Sequence, residues 1–600
     1  MLMLLMITGM ALAAGTIYGA EPAGAQAPPG PTGTIAFASL APRGWDLYVA
    51  EVKTQQSRRL TDSPALDYNG AFSPDGKQIA FVSERDGNPE LYAMAADGTG
   101  LRRLTDNFAL DDHPAWSPDG QRIAFASTRE PAAAPGRAWN AIYVMNADGT
   151  GVKRLSPPDV ADYSPAWSPK GDLLACASGS GKAGGTDLYV MKPDGGGRRL
   201  VIKNGGWPCF TADGQGLFFH SQRQGRWGIW RVGLDGSNPE RVTPPELEAF
   251  TPRAAGDGRR LAAAVLRGEH RQIELLELGS GKWTPLTKEA ADHWNPSFSP
   301  NGGQVVYHKT SPGLKTPNVE LWGTPPGTDL KMLRLAGAFP AFSPDGRRLA
   351  LVGGDFSRLD VMNTDGSNRK NLYTGRSRSL FSTTWAHQGD LIAFAAGGVF
   401  QDPGAGVDLM AVHPEGSEAR RLTQGAGNNG FPALSPDGKR LVFRSGRGGS
   451  KNLYIMNSDG TNVTQLTRGA WTDTMCDWSP DGEWIAFASD RDGDFHIWLI
   501  KPDGRGLKKL IGGGGRNNHP HFSPDGKWVV FASQRAGYSA EEISLPFQFQ
   551  PYGDLFAVRL DGTGLIRLTH NGFEEGTPAW GPAVEVRPSA EGSGGEGVGY

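Results

Sequence analysis

The stretch HPAWSPDGQRIAFAS, residues 113–127, decides the fold because close copies of it return along the chain. The copies read NGAFSPDGKQIAFVS, FPAFSPDGRRLALVG, FPALSPDGKRLVFRS and HPHFSPDGKWVVFAS, beginning at Asn69, Phe339, Phe431 and His519. In SPDG, proline holds φ near −65° and glycine accepts positive φ, so the tetrapeptide predicts a chain reversal, here called the corner. The following IAFAS is apolar on both faces and predicts a strand covered on both sides.

The glycine that closes each corner measures the repeat. From Gly76 to Gly526, successive corner glycines lie 43–51 residues apart. A period in the low forties is typical of β-propellers, whose blades are four-stranded sheets. One unit contains four strand-like segments, PAWS, RIAFAS, AIYVMN and VKRLS, with a second turn at Asp148-Gly149. The sequence therefore predicts an all-β propeller fold of about twelve four-stranded blades.

The number of units bears on the domain organisation. Since a ring usually has about four to eight blades, we expect two six-bladed propellers in tandem, over residues 28–300 and 301–582. TPAWGP (577–582) together with TIAFAS, DLYVAE and RRLT, which precede the first corner, predicts a closing blade built from both ends of the chain. Discontinuous domains and one large ring are the alternatives.

The two ends of the chain predict export and a tail. Residues 1–27 are apolar, uncharged until Glu21 and rich in small residues, which is typical of a signal peptide, with an uncleaved anchor as the alternative. No later stretch reaches the roughly 18 apolar residues of a membrane span. We therefore expect a periplasmic or extracellular protein that does not span a membrane after cleavage. The Gly-rich residues 583–600 predict a flexible tail.

Composition and motifs argue against several classes of function. Lys plus Arg total 60 against 63 Asp plus Glu, a net charge of −3, so a nucleic-acid partner is not expected. The three cysteines share no ligand spacing, which disfavours a disulfide framework and a thiolate metal site. No G-x-S-x-G occurs, and GSGKA and GSGKW (179–183 and 279–283) lack the flanking residues of a phosphate loop. The sequence predicts a non-enzymatic protein without cofactor or metal.

The repeat as a whole, approximately hPaWSPDGkxIAFxSxRdGxxxIYvMnxDGtgxxrLT, resembles the WD40-like repeats of TolB-type propellers over about residues 33–582. The resemblance implies a propeller that binds protein partners, and TolB itself is a periplasmic component of the cell-envelope Tol-Pal system. TolB carries an α/β domain before a six-bladed propeller, whereas strand patterning here begins at Thr34 and extends about twice as far. We therefore expect a TolB-like repeat, with a cell-envelope complex as one setting, in a role other than TolB's own.

The candidate binding residues lie just before the first strand of each unit, where the repeated letters give way to individual ones. Carboxylates and aromatic rings at a channel mouth suit a peptide, a cation or a sugar. The candidates are Asp67, Tyr68, Asp111, Asp112, His113, Asp162, Tyr163, His293, Trp294, Asp473, Asn518 and His519. The main hypothesis is a scaffold that binds a protein or peptide partner through its loop face and channel. The alternatives are a carbohydrate-active or hydrolytic enzyme that uses these carboxylates and histidines, and a structural role in which the aspartates hold the start of the strand.

Overall fold

The structure is a computed structural model that describes most of the repeat region. The described residues are 30–39, 44–133, 137–179, 185–310, 317–375, 379–386, 388, 390–398, 406–425, 427–537, 553–571, 573 and 575–584. Every helix or strand assigned within them is a β-strand. The predicted signal peptide and almost all of the predicted tail lie outside the described residues.

The strands come in the short, evenly spaced series that the repeat predicts. The first half of the chain contains β1 (Thr32–Ser39), β2 (Trp45–Glu51), β3 (Ser57–Arg59), β4 (Asp67–Phe72), β5 (Gln78–Ser83), β6 (Glu90–Ala95), β7 (Arg102–Arg103), β8 (Asp111–Trp116), β9 (Arg122–Ser127), β10 (Ala141–Asn146), β11 (Lys153–Arg154), β12 (Asp162–Trp167), β13 (Leu174–Gly179), β14 (Thr186–Met191), β15 (Arg199–Ile202), β16 (Gly206–Phe210), β17 (Gly216–Ser221), β18 (Gly228–Gly233), β19 (Glu240–Arg241), β20 (Ala249–Ala254), β21 (Arg260–Arg267), β22 (His270–Glu277), β23 (Lys282–Pro285), β24 (His293–Phe298) and β25 (Gln304–Thr310).

The second half continues the series with the same spacing. It contains β26 (Val319–Trp322), β27 (Asp329–Leu335), β28 (Ala338–Phe342), β29 (Arg348–Val352), β30 (Arg358–Asn363), β31 (Lys370–Thr374), β32 (Leu380–Trp385), β33 (Ile392–Gly397), β34 (Val407–Val412), β35 (Arg420–Arg421), β36 (Gly430–Leu434), β37 (Arg440–Gly448), β38 (Ser450–Asn457), β39 (Thr464–Gln465), β40 (Asp473–Trp478), β41 (Ile485–Ser489), β42 (His496–Ile500), β43 (Lys508–Ile511), β44 (Asn517–Phe522), β45 (Trp528–Ser533), β46 (Asp554–Arg559), β47 (Ile566–Arg567) and β48 (Glu575–Gly581).

The strands form twelve four-stranded sheets that close into two rings. In the first ring the inner strands β4, β8, β12, β16, β20 and β24 contact one another in that order, and β24 returns to β4. In the second ring β28, β32, β36, β40, β44 and β48 do the same, and β48 returns to β28. The predicted fold, two six-bladed propellers, is confirmed.

Ring closure differs from the expectation that one blade joins both ends of the chain. As predicted, β48 pairs with β1, but β2 and β3 leave for the first ring, where β2 pairs with β25. The outer positions of the second ring's closing blade are filled by β27, parallel to β1, and by β26. Because two rings must close, the three strands at the start of the chain are divided between them, β1 to the second ring and β2 and β3 to the first. A boundary at residue 300 would cut the β24–β25 hairpin. We therefore propose that the chain passes from the second ring to the first between residues 39 and 45, and returns to the second ring between residues 310 and 319.

The corners have the geometry that their sequence predicts. Gly120 has φ of 69° and donates its N–H to the carbonyl of Ser117 (2.9 Å). Asp119 accepts hydrogen bonds from the Ser117 hydroxyl and the Gln121 N–H. At the second turn a Cβ on Gly149 would lie 2.3 Å from the Leu104 carbonyl oxygen of the preceding blade, so glycine permits the blades to approach closely. The corner carboxylates therefore serve their own turns.

Replacing Gly120 with valine is expected to lower the free energy of unfolding by about 1–3 kcal/mol, because a β-branched residue is strained at positive φ. A Cβ there meets only ordinary contacts, 3.8 Å from Pro74, so backbone conformation alone drives the loss. Gly120→Asn, which tolerates the left-handed region, is the matched control and should lose much less. Equal melting temperatures for the wild type and Gly120→Val would contradict this geometry.

The two rings meet at a buried joint built by loops of the first ring and the closing blades of the second. Glu84 Oε2 lies 3.1 Å from Arg334 Nη1, and both side chains are 2% exposed. Glu320 contacts the same guanidinium. Burial raises the pKa of Glu84 to about 7, although Arg334 opposes the shift. Two carboxylates thus share one guanidinium between the rings.

Aromatic side chains of both rings also pack at this joint. Phe573 of the second ring packs into a core cluster of the first, with its ring centre 6.1 Å from that of Trp45. The Arg567 guanidinium lies 4.4 Å from the ring centre of Trp139, and the Thr128 hydroxyl lies 3.2 Å from Nδ1 of His570. The joint is therefore a packed interface as well as an electrostatic one.

Candidate functional site

One residue of each inner strand, at its second or third position, has the same unusual backbone in all twelve blades. Each has φ between 46° and 55° and lies within or beside the strand's register shift, so it is a bulge on the edge that faces the ring centre. These residues are Asn69, His113, Ser164, Trp207, Thr251 and Asn295 in the first ring, and Phe339, Ser382, Phe431, Met475, His519 and Thr577 in the second. We call these twelve positions the bulge row.

In the first ring the bulge row closes the channel with mainly polar side chains. The rings of His113 and Trp207 are 4.6 Å apart although their strands, β8 and β16, are not neighbours, so they meet across the axis. Asn295 donates to Asn69, and Asn69 Nδ2 donates to Asp112 (2.7 Å). Several bulge-row polar atoms, including Ser164 Oγ and Trp207 Nε1, are buried and have no hydrogen-bond partner among the described residues. The constriction is polar and tightly closed.

In the second ring the bulge row forms an aromatic floor across the channel. The ring centres of Phe339, Phe431 and His519, from three alternate blades, lie 5.8–6.4 Å from one another. Burial lowers the pKa of His519 to about 3, so this imidazole is neutral at physiological pH. The floor is therefore uncharged and largely apolar.

A cavity of about 310 Å³ opens from this floor toward the corners of the second ring. Its wall includes prolines of the inner strands and of the corners, such as Pro432 and Pro480, and aromatic side chains such as Phe342. Asp477 is the acidic side chain among its described lining residues and His519 and His521 are the imidazoles, and no lysine or arginine is among them. A concave wall that offers apolar side chains beside exposed polar groups is typical of a binding site.

In three blades the fifth residue of the inner strand accepts a hydrogen bond from a backbone N–H of the next blade at this wall. Thr384 Oγ1 accepts the Leu434 N–H (3.3 Å), and Asp477 Oδ2 accepts the Phe522 N–H (2.8 Å). His521 Nδ1 in turn accepts the Trp580 N–H (3.2 Å). Inner strands are sheet edges with unpaired N–H groups, so these side chains satisfy donors that would otherwise face the cavity.

The predicted carboxylates at the first position of the inner strands are buried in ion pairs with arginine. The shortest oxygen–nitrogen distances are 3.0 Å for Asp67–Arg85, 2.8 Å for Asp111–Arg129, 2.7 Å for Asp162–Arg198 and 2.7 Å for Asp473–Arg491, and each aspartate side chain is 0% exposed. In three of the four pairs the arginine follows the second strand in a Ser-x-Arg sequence. In this structure these carboxylates fasten the start of the inner strand to its own blade.

The other predicted residues divide between the core and the channel. Tyr68, Tyr163, His293 and Asn518 are buried, and His293 Nδ1 lies 3.0 Å from the Arg271 carbonyl oxygen. The Arg271 guanidinium covers Trp294, 4.2 Å from its ring centre.

His113 and His519 belong to the bulge row, and Asp112 lies beside it. Asp112 Oδ2 is 2.9 Å from His113 Nδ1. Burial acts to raise the pKa of Asp112, but His113 and the hydrogen bonds from His113 and Asn69 outweigh it and lower that pKa. The structure thus brings Asp112 and His113 together, and places His519 in the other ring.

Sequence reasoning selected His113 and His519 but missed the other members of the bulge row and the fifth-position residues. A signal was present, because the bulge residue directly precedes proline in most units, as in His113-Pro114 and Phe431-Pro432. Proline restricts the residue before it, which marks a special backbone position. The corner prolines were interpreted only as turn formers, whereas Pro480 also lines the cavity.

The described residues offer neither a metal-binding cluster nor a membrane-spanning helix. No cluster of three or more His, Cys, Asp or Glu side chains suited to a metal ion occurs within them. Nor does this part of the chain contain a helix with the length and apolarity of a membrane span.

Comparison with known proteins identifies the repeat family. The family model described as the TolB beta propeller domain matches residues 27–182, 159–319 and 353–549. An uncharacterized protein of Agrobacterium fabrum is 33% identical over 187 residues, 29% of this chain and 63% of that protein. An uncharacterized peptidase of Bacillus subtilis is 28% identical over 146 residues, and the Tol-Pal system protein TolB of Bordetella pertussis is 32% identical over 126 residues. These matches cover 24% and 20% of this chain and 21% and 28% of the respective relatives.

Proposed function

Since the chain belongs to the TolB beta-propeller family, we propose that it is an exported, non-enzymatic scaffold that binds a peptide segment of a protein partner. The binding site is the cavity between the aromatic floor and the corners of the second ring. The observation that carries this proposal is the cavity itself: about 310 Å³, walled by proline, phenylalanine and small residues of all six blades. Apolar concave walls of this kind bind side chains of a partner by burying them.

Its setting is proposed from the relatives. The Bordetella relative is named as a protein of the Tol-Pal system, which supports a cell-envelope complex as the place of assembly. The apolar residues 1–27 support export to the periplasm or the exterior. The B. subtilis relative is named as a peptidase, so peptide hydrolysis is the second candidate function.

Filling the cavity tests the proposal. Thr384 is half-buried in the cavity wall, and tyrosine at this position would occupy part of the space that a bound side chain needs. Peptides selected from a displayed random library on the purified chain should bind Thr384→Tyr at least about tenfold more weakly than the wild type, since about 1.4 kcal/mol of lost contact gives that factor. Affinity is measured by fluorescence polarisation.

Ser297→Tyr is the matched control because Ser297 occupies the equivalent fifth position of β24 in the first ring. It should bind the peptides as the wild type does. Loss of binding in Ser297→Tyr alone would move the site to the first ring. Mass spectrometry of the incubated peptides separates the two candidate functions, because a scaffold leaves them intact and a peptidase shortens them.

A further inference from the structure

One wall of the cavity carries an acidic side chain, Asp477, that pairs with no lysine or arginine of the described residues. Asp477 lies two residues after the bulge-row residue of β40, where the other inner strands of the second ring have Ala341, Thr384, Ala433, His521 and Ala579. Its Oδ2 accepts the Phe522 N–H, and His521 Nδ1 lies 3.6 Å from the same oxygen. Among the described residues no lysine or arginine lies within 4.0 Å of this carboxylate.

This environment differs from that of the first-position aspartates. Asp473, four residues earlier in the same strand, is 0% exposed and paired with Arg491 at 2.7 Å. Asp477 is 18% exposed and lines the cavity, and its Oδ1 receives no hydrogen bond from the described residues. A carboxylate that faces a concave, low-dielectric wall attracts a cation more strongly than one on an open surface.

The charged side chains along the channel indicate where a basic group of a bound peptide would lie. Met475, two residues before Asp477 along β40, belongs to the bulge row that forms the floor. The rings that meet in this floor are uncharged. The guanidinium of Arg444 lies 4.9 Å from the ring centre of Phe431. Arg444 pairs with Gly430, which precedes Phe431 in the strand and so lies on the side of the floor away from the corners. A cation is therefore disfavoured at the floor and favoured one step nearer the corners, beside Asp477.

We propose that the cavity recognises an apolar residue followed by a lysine or arginine, with the apolar side chain on the aromatic floor and the basic side chain beside Asp477. This inference rests on the proposed function, since it names the chemistry of the peptide that the cavity binds. His521 completes the polar end of the site. The partner segment is thus an apolar–basic pair presented by an extended terminus or a loop tip.

Fluorescein-labelled hexapeptides test the inference by fluorescence polarisation. The probes are Ser-Gly-Leu-Lys-Gly-Ser, its Leu-Glu counterpart and its Ser-Lys counterpart. We expect the Leu-Lys probe to bind most tightly. Its affinity should fall about five- to tenfold in Asp477→Asn and decrease with added salt, as a partly buried ion pair requires. Asparagine keeps an oxygen for the Phe522 N–H, so the variant should fold.

Glu483→Gln is the matched control, because Glu483 is an exposed acid of the same blade, 3.7 Å from Lys501 and outside the cavity. It should leave the affinity of the Leu-Lys probe unchanged. Equal affinity of the Leu-Lys and Leu-Glu probes, or no loss in Asp477→Asn, would overturn the inference while leaving peptide binding intact. Failure of all three probes and of library-selected peptides to bind would overturn the proposed function together with this inference.

Discussion

Replacing Asp111 with alanine is expected to lower the free energy of unfolding by about 2–4 kcal/mol, because Arg129 would keep its place against the core without a counter-charge. Both carboxylate oxygens of Asp111 accept hydrogen bonds from Arg129 Nη2 (2.9 and 2.8 Å), and Oδ2 also accepts one from Asn107 Nδ2 (2.7 Å). Asp111 is fully buried, whereas the Arg129 side chain is 22% exposed, which holds the loss below that of a fully buried pair. Denaturant unfolding of the wild type and Asp111→Ala measures this loss in the free energy of unfolding.

Asp148→Ala is the control for that variant. Asp148 is an exposed acid that serves only its own turn, so its loss should cost about 1 kcal/mol or less. Unchanged stability of Asp111→Ala would show that the Asp111 carboxylate is free, and would return the first-position aspartates to the group of ligand-binding candidates.

Replacing Arg334 with methionine is expected to destabilise the chain by about 3–5 kcal/mol at pH 8 and by clearly less at pH 5.5. The substitution leaves Glu84 and Glu320 at the joint without their shared guanidinium. At pH 5.5 Glu84 holds a proton, because burial raises its pKa to about 7, and a neutral carboxyl group tolerates the loss of Arg334 better.

The sign of the wild-type pH dependence follows from the same group. A carboxyl group whose pKa is raised on folding contributes stability that is complete below the pKa of the unfolded chain and is lost as the pH rises through the folded value. The contribution of Glu84 should therefore fall by about 1–3 kcal/mol between pH 4.5 and pH 7. Glu84→Gln should flatten this part of the profile. An Arg334→Met loss of equal size at both pH values would contradict a protonated Glu84 at the joint.

The architecture could be predicted from the sequence because every blade repeats the same local solution. Ser117-Pro118-Asp119-Gly120 forms a turn through its own φ preferences and local hydrogen bonds. These four residue types therefore predict the turn geometry without knowledge of tertiary contacts. Ring closure could not be predicted in this way. The pairing of β1 with β27 joins residues that are nearly 300 positions apart, and nothing local in TIAFAS distinguishes one partner strand from another.

The candidate site was harder to predict than the fold because the identity of a polar residue does not reveal which side chain it contacts after folding. Asp111 and Asp477 look equally available in the sequence, yet one meets an arginine of its own blade and the other faces a cavity. The difference depends on which residue stands opposite after folding. The bulge row as a set was missed, apart from His113 and His519, since its side chains, from asparagine to phenylalanine, share a backbone conformation and no common chemistry.

A photo-cross-linking measurement tests the central claim, that a peptide binds in the cavity of the second ring, most directly. A library-selected peptide that carries a photoreactive diazirine is irradiated with the wild-type chain, and mass spectrometry locates the adduct. The account predicts adducts on cavity residues of the second ring such as Thr384 and Met475, and none on the equivalent Ser297 of the first ring. Adducts confined to the first ring, or the absence of any adduct on cavity residues while the peptide is bound, would contradict it.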